Sequence, residues 1–515
     1  MTAVQPAPPG APPTAPPAPA PAPGTGTAPV VRRPRGGVRR PDAPPPSRRF
    51  GFVPRTVAGR VRALTGAVLV AVVALLAVVA VSVGNARDGV RVIGEDAGPQ
   101  VVATGDMYFH LTNMDAQLAN ALLIGRAQDL GTRRDEALRR FDESRLAAGK
   151  ALLRAAKLAD EDIEDETARE SLNALARYER LAGQALLLDE RANHAAGPPP
   201  AEVIAYYRQA TDLMKLDLLP KAYNLTLDNG TLVRHTYESE RGAVMTGQVL
   251  VYVFGAVALA LMAALQLYLF VRFRRVLNPA LAVSAFLTLV LVGASAVMLN
   301  GQVDHLRTAK SDGFDSLLSL SRARAISTSA NADETRFLLD PGRADTYEQV
   351  YLSKSQSVLY RPADNLDRYN EAIQRDLGAP DLDPQRERFL GFLGREAGYG
   401  ALPGQPRAYR DVLQKYRAFQ QSDSRVRALV RAGQTDRAIA ARLGGGAGGL
   451  SSDRDFTAYD AAMQRLFRIH HEAFEKAVKD GEKGTRGWNA GVPIAGLVII
   501  GLVLAGVRPR LAEYR

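Results

Sequence analysis

The stretch from Ala63 to Ala86 reads ALTGAVLVAVVALLAVVAVSVGNA, and none of its 24 residues is charged. A helix needs about 20 apolar residues to cross the roughly 30 Å hydrocarbon core of a bilayer. Three further uncharged runs are long enough, and they cover Gly242–Val271, Val276–Val303 and Gly487–Val507. The sequence therefore predicts an all-α membrane protein with four transmembrane helices.

Two long regions between these spans, residues 87–241 and 304–486, have the composition of ordinary soluble domains. We predict that each forms an extracytoplasmic helical bundle, so that the chain consists of two span–bundle–span units in tandem. The remaining segments are then cytoplasmic, and they comprise the N-terminal tail 1–62, the basic turn 272–275 and the C-terminal tail 508–515.

The distribution of basic residues predicts this orientation. Of the net charge of +11, about +14 falls in the three short segments and about −3 in the two long regions. Cytoplasmic flanks of membrane helices are enriched in Lys and Arg. We therefore expect a multi-pass protein of the cell membrane with both termini in the cytoplasm, and the basic balance does not indicate a nucleic-acid partner.

The N-terminal tail is dominated by Pro, Ala and Gly and then by Arg. Such a segment buries too little apolar surface to fold, so we predict a disordered tail. It serves either as a solvated spacer or as a docking strip for a cytosolic protein, and its Arg-rich end suits the anionic inner leaflet. The first span is longer than a signal-peptide core, which favours an uncleaved anchor over a cleaved signal.

Apolar residues in both long regions recur at helical spacing, and strand-type alternation is scarce. The first region predicts four helices, on the spacing of Leu111, Met114, Leu118, Leu122; Leu138, Phe141, Ala148, Leu152; Leu172, Leu175, Ala182, Leu186; and Ile204, Tyr207, Leu213, Met214. The clearest stripe in the second region comprises Phe456, Tyr459, Met463, Phe467, His470, Phe474 and Ala477. Turns between helices are predicted at Gly197–Pro200 and at Gly444–Gly449.

The two halves also resemble each other. The segment Asn120–Gly125 follows the first span at nearly the same distance at which Thr335–Asp340 follows the third. This agreement favours a tandem duplication of one unit.

Residues that would carry catalysis or bind a metal are scarce. The chain has no cysteine, which excludes disulfides and thiolate chemistry. The adjacent pair His470-His471 lacks the i, i+4 spacing of a zinc site, and the acidic run Asp160–Glu166 lacks the periodicity of a calcium loop. We predict no enzyme activity, no catalytic residues, no metal site and no cofactor, and the ligand-binding residues remain unknown.

The spans contain no Asp, Glu, Lys, Arg or His, the residues that mark ion and proton paths. Their polar members include Gln248, Tyr252, Gln266, Ser284, Thr288 and Ser295. Hydroxyl side chains suit helix–helix packing in lipid, and Gln can form hydrogen bonds across helices. This pattern argues against a transporter and favours packing as the role of these side chains.

The segment Arg55–Arg62, the two bundles, and the stretches Tyr206–Met214 and Leu218–Ala222 resemble the actinobacterial GlnX-type membrane proteins. The resemblance covers most of the chain after about Arg48. It implies a protein placed between a solute-binding lipoprotein outside and the serine/threonine protein kinase G inside. It further implies a signal given by aspartate, glutamate or a related amino acid.

The architecture by itself also favours transmembrane signalling through an adaptor, because no kinase or cyclase domain is present to produce the output. The expected partners are the lipoprotein, the cytosolic kinase and membrane lipid, and the sequence leaves open whether the protein is a homo-oligomer. The alternatives are a cell-envelope scaffold and a membrane subunit of a transport complex.

Overall fold

The computed structural model describes residues 56–127, 130, 133–158, 162–273, 278–379, 389–396, 402–444 and 451–512. Within these ranges the chain forms α-helices and no strand; a single bridge joins Tyr360 to Leu390. The helices are α1 (Val57–Arg91), α2 (Gly98–Ile124), α3 (Arg134–Leu158), α4 (Asp162–Ala192), α5 (Ala201–Leu213), α6 (Leu219–Phe273), α7 (Pro279–Arg307), α8 (Asp315–Leu339), α9 (Ala344–Val358), α10 (Leu366–Asp376), α11 (Phe392–Glu396), α12 (Gln405–Arg431), α13 (Thr435–Leu443), α14 (Ser452–Thr485) and α15 (Trp488–Ala512).

The four apolar runs lie in α1, α6, α7 and α15, and each of these helices is long and apolar enough to cross a membrane. Large apolar side chains such as Val70, Phe286 and Leu497 are exposed along them, as lipid-facing residues would be. The fold class predicted from the sequence is therefore confirmed. The predicted tail lies outside the described residues up to position 55, and α1 begins at Val57, before the first apolar run.

Small and hydroxyl residues bring the spans close together. Gly247 of α6 faces Ser82 of α1, and Gly255 of α6 faces Val292 of α7, in each case so closely that an added Cβ would clash. Gln248 donates a hydrogen bond across the helix pair to Asn300, at 2.9 Å. The structure confirms the packing role predicted for this glutamine.

Three π-helical turns join helices that would otherwise be separate: Val92–Ala97 joins α1 to α2, Met214–Leu218 joins α5 to α6, and Thr308–Phe314 joins α7 to α8. Three continuous rods result. Two of them, α1–α2 and α7–α8, are each about 90–100 Å long at 1.5 Å per residue. Both leave the membrane region with a π-turn just beyond it. Single π-turns inside helices are frequent at functional sites.

The first bundle consists of α2, α3, α4, α5 and the beginning of α6. Its core contains Leu111, Met114, Leu118 and Leu122, all fully buried. The helical spacing read from the sequence is confirmed here, as it is for the buried positions of α3, α4 and α5.

The second bundle consists of α8, α9, α10, α12 and α14. Aromatic residues dominate its core, and Phe419 stacks on Tyr459 with 6.1 Å between ring centroids. Of the stripe predicted on α14, all but Phe456 and Phe467 are buried, and these two are half-buried.

The two bundles share a hydrophobic core, which the sequence analysis did not anticipate. Phe337, Leu338 and Leu339, at the end of α8, pack within the core of the first bundle, as do Ala438 and Ile439 of α13. The α2 and α8 rods lie side by side. Both regions outside the membrane therefore fold against one another around their equivalent helices.

Candidate functional site

Four consecutive residues of α8, Asp333 to Arg336, have side chains that are almost entirely inaccessible to solvent. Charged side chains are almost never fully buried unless they are paired. This part of α8 is covered on every side because it lies between the two bundles, so its charged side chains need partners. We call the polar contacts around these four residues the polar junction.

Arg336 connects elements of both halves. Its Nε donates to the Tyr207 hydroxyl at 3.0 Å, Nη1 donates to Asp333 at 2.5 Å, and Nη2 donates to Asp115 of α2. Asp115 also accepts hydrogen bonds from Tyr178 at 2.9 Å and from Thr211 at 2.8 Å. One carboxylate on α2 thus holds side chains from α4, α5 and α8 together.

On the other side of the junction, the carboxylate of Asp333 binds positively charged side chains. It accepts a hydrogen bond from Lys215 of the second π-turn at 2.9 Å and another from Lys354 of α9. Burial alone would raise the pKa of Asp333, but the charges of Lys354, Lys215 and Arg336 outweigh burial and hold the pKa well below its usual range. Burial also lowers the pKa of Lys354 to about 8, against the attraction of Asp333.

A second group of charges continues from Glu334. This carboxylate accepts a hydrogen bond from Ser452, the first residue of α14, at 2.7 Å. It lies 3.5 Å from Arg442 of α13, which also donates to Thr335 at 3.1 Å. Burial raises the pKa of Glu334 to about 7. Next to it, Asp423 forms a buried ion pair with an arginine one turn further along α12.

The two similar segments, Asn120–Gly125 and Thr335–Asp340, meet at this point. Thr335 donates a hydrogen bond to Asn120 at 2.9 Å, so the first residues of the two similar segments contact each other. The polar junction therefore lies where the two halves of the chain meet. The four α8 side chains at its centre are buried and hydrogen-bonded.

α14 runs from the polar junction to the membrane. Below Ser452, its His470 contacts the backbone oxygen of Asp312 in the third π-turn, at 2.5 Å. Phe474 packs against Gly313 so tightly that an added Cβ would lie 2.8 Å from the Cβ of Phe474. Gln302 of α7 then donates to the carbonyl of Gly481, at 2.9 Å.

Gly94 of the first π-turn and Gly98, the first residue of α2, make equally close contacts with α14. A Cβ on Gly94 would lie 2.4 Å from Val478, and one on Gly98 would lie 2.6 Å from Phe474. α14 is thus clasped between the π-turns that follow the first and third spans. It ends at Thr485, and Gly487, with φ of +89°, separates it from α15.

Two of the open cavities on the described part of the surface are lined mainly by charged residues. One of about 500 Å³ lies beside the break between α14 and α15, and its lining includes Arg87, Arg91, Lys479, Lys483 and Arg486. The other, of about 780 Å³, lies between α12 and α14, and its lining includes Arg407, Arg410, Arg465 and Arg468. Both are rich in arginine and open to solvent.

The structure places the other residues singled out from the sequence as follows. His470 is buried and His471 contacts Glu475 at 3.2 Å, and no group of metal-binding side chains occurs among the described residues. In the turn Gly197–Pro200, Gly197 and Pro199 are buried, and Gly197 faces Ile439 of α13. Of the turn Gly444–Gly449, only Gly444 is described; it ends α13 with φ of +91°.

Sequence reasoning missed the polar junction. A signal for it existed, because the second copy of the repeated segment has the charged Arg336 where the first copy has Ala121. Two of the partners of Arg336, Tyr207 and Asp115, are 129 and 221 residues away in the chain, a separation over which helical periodicity carries no information.

Comparison with known families gives one match. A family model described as the actinobacterial sensor domain matches residues 89–238, which include Asp115, Tyr178, Tyr207, Thr211 and Lys215 of the polar junction. No curated protein and no solved structure matches the chain. The family match and the four apolar helices support an actinobacterial sensor-type membrane protein with a sensing or signalling role.

Proposed function

We propose that this chain is a non-enzymatic transmembrane receptor or adaptor for an extracytoplasmic amino-acid signal of the aspartate or glutamate type. A solute-binding lipoprotein delivers the signal outside, and a cytosolic serine/threonine kinase receives it inside. The observation that carries the proposal is the course of α14. This helix begins at a hydrogen bond to Glu334 in the polar junction and ends beside the fourth span.

The physical basis is a mechanical connection between the two bundles and the spans. A partner that changes how the bundles pack would act on Arg336 and Glu334, which hold charges from both halves. A shift of α14 along or about its axis would then reach the π-turns and α15. Packed cores are bistable and transmit small shifts of whole helices in this way.

The end of the bundles furthest from the membrane is the docking surface that we propose for the lipoprotein. Here the turn between α4 and α5 meets α13, and Pro198, Pro200, Asp436 and Arg437 are exposed. A ligand can shift an equilibrium only through its differential affinity for the two states. The loaded and the empty lipoprotein must therefore bind this surface with different affinities.

The experiment compares binding and output in the same variants. The full-length protein in nanodiscs is titrated with the lipoprotein, with and without bound glutamate, and kinase-substrate phosphorylation is followed in cells given external aspartate or glutamate. We expect D436K with R437E to weaken binding of the loaded lipoprotein and to abolish the response. E166K with R169E, exposed charge reversals at the opposite end of α4, serves as the matched control.

The scaffold alternative predicts different results. A strain lacking the protein would keep its full phosphorylation response, and the protein in nanodiscs would bind loaded and empty lipoprotein equally. Either result contradicts the proposed relay.

A further inference from the structure

The cavity beside the break between α14 and α15 lies where the chain enters the membrane. Arg87 is the first charged residue after the apolar run of α1, and Arg486 is the last before the apolar run of α15. Both line the cavity. A molecule bound here would therefore lie at the level of lipid headgroups.

The lining of this cavity carries an excess of positive charge. Five basic side chains face two acidic ones, Glu95 and Glu482. Arg91 and Lys483 have only distant acidic neighbours on their own helices, at 4.0 and 3.7 Å. Arg87, Lys479 and Arg486 form no ion pair with any residue in the described part of the chain. These charges are free to bind an anion.

The helix α15 adds to the positive potential. Gly487 and Asn489, at its beginning, form part of the cavity wall. The first backbone N–H groups of a helix lack intrahelical partners and carry a partial positive charge. The first turn of a 25-residue helix therefore reinforces the five cations.

Size and surroundings indicate the kind of anion. About 500 Å³ accommodates a phosphodiester headgroup with its glycerol, and it falls within the usual range of small-molecule sites. Directly along the spans, Val81 and Ile494 are exposed apolar residues within about two turns of the cavity. Acyl chains attached to a bound headgroup would lie against such a surface, whereas a free anion would not use it.

From this combination of charge, size and position we propose that the cavity binds the phosphate headgroup of an anionic phospholipid. The site bridges the ends of α1 and α14 and the start of α15. A bound headgroup therefore neutralises repulsion among the five cations and holds the joint between α14 and the fourth span in one geometry. The inference is independent of the amino-acid signal proposed above.

Trp488, the single tryptophan of the chain, provides the measurement because it lies between two residues of the cavity lining. The full-length protein is reconstituted in vesicles of phosphatidylcholine and phosphatidylglycerol in equal amounts, with bromine on the acyl chains of one lipid at a time. We expect brominated phosphatidylglycerol to quench Trp488 fluorescence more strongly than brominated phosphatidylcholine.

Variants test the residues. We expect R91Q with K483Q to remove most of the preference for phosphatidylglycerol, by about fivefold in relative affinity for each charge removed. A second pair, R87Q with K479Q, should act in the same way. R407Q with R410Q, which removes two charges from the other arginine-rich cavity, should leave the preference unchanged.

Three results would overturn the proposal. The wild-type protein could show equal quenching by the two lipids, or both cavity variants could keep the preference. An excess of inorganic phosphate could also abolish the preference in wild-type vesicles, which would identify the site as one for a free anion.

Discussion

At the scale of single residues, the polar junction depends most on Arg336, because its guanidinium contacts carboxylates from both halves of the chain. We expect R336M to destabilise the protein by about 3–5 kcal/mol, since the substitution leaves Asp115 buried beside hydroxyl groups alone. Asp333 would keep Lys215 and Lys354. Chemical unfolding of the detergent-solubilised protein, followed by circular dichroism, measures the loss.

Arg343 provides the control for this prediction. It pairs with Asp212 at 3.2 Å, but both side chains are about 40% exposed. Exposed ion pairs contribute at most about 1 kcal/mol. R343M should therefore have a small effect, and equal losses in the two variants would show that Arg336 is not the residue on which the junction depends.

Glu334 should make stability depend on pH. Its pKa of about 7 in the folded protein is above the ordinary value of 4.5, so the folded state binds more protons than the unfolded state between these values. Stability from this group is thus fully present below about pH 4.5 and is lost as the pH rises through 7. The charged groups that face it are Arg442, Asp423 and Arg427.

The variant E334Q isolates this contribution. Between pH 4.5 and 7, the wild-type free energy of unfolding should fall more steeply than that of E334Q, by at most about 1.4 kcal/mol for each pH unit. Above pH 7 the variant should be the more stable protein. Parallel pH profiles for the two proteins would mean that Glu334 does not titrate in this range.

At the scale of elements, the contact between α14 and the π-turns should be sensitive to a single methyl group. We expect G313A to destabilise the protein by about 1–3 kcal/mol, because the new Cβ would meet both the Cβ and the Cα of Phe474 and the helix would have to move. G301A in α7 is the matched control, since nothing lies within 4 Å of the corresponding position.

Thermal unfolding of the two glycine variants in detergent tests this contact, and the phosphorylation assay shows whether moving α14 changes the output. A melting temperature for G313A at or above that of G301A would show that α14 is not tightly clasped.

The helices themselves could be predicted because the spacing of apolar residues within each one indicates which face is buried. Leu111 to Leu122 on α2 and Tyr459 to Ala477 on α14 show the 3.6-residue period of a helix with one buried face. α8 differs, since it is buried on all sides and its buried residues include Asp333, Glu334 and Arg336. Its polar residues suggest an exposed face until their partners on α2, α5 and α9 are known.

At the scale of the whole molecule, the duplication predicted from the sequence would account for the position of the polar junction. The π-turns Val92–Ala97 and Thr308–Phe314 follow equivalent spans, and the similar segments that begin at Asn120 and Thr335 lie at nearly equal distances beyond them. Two copies of one rod that pack side by side bring their equivalent residues together. Arg336 in the second copy then forms an ion pair with Asp115 in the first copy.

The orientation of the molecule remains a prediction from charge, and the absence of cysteine makes it directly testable. Single cysteines are introduced at the exposed positions Glu190 and Arg437, one in each region between spans, and at Pro44 in the tail. On intact cells whose outer barrier has been opened, a membrane-impermeant thiol reagent should label the first two. The cysteine that replaces Pro44 should react only after lysis, because the basic flanks of the spans are expected to stay in the cytoplasm. If only the cysteine at position 44 were labelled in intact cells, the topology would be the reverse of the predicted one. The bundles would then lie inside, and the basis for an extracytoplasmic signal would be removed.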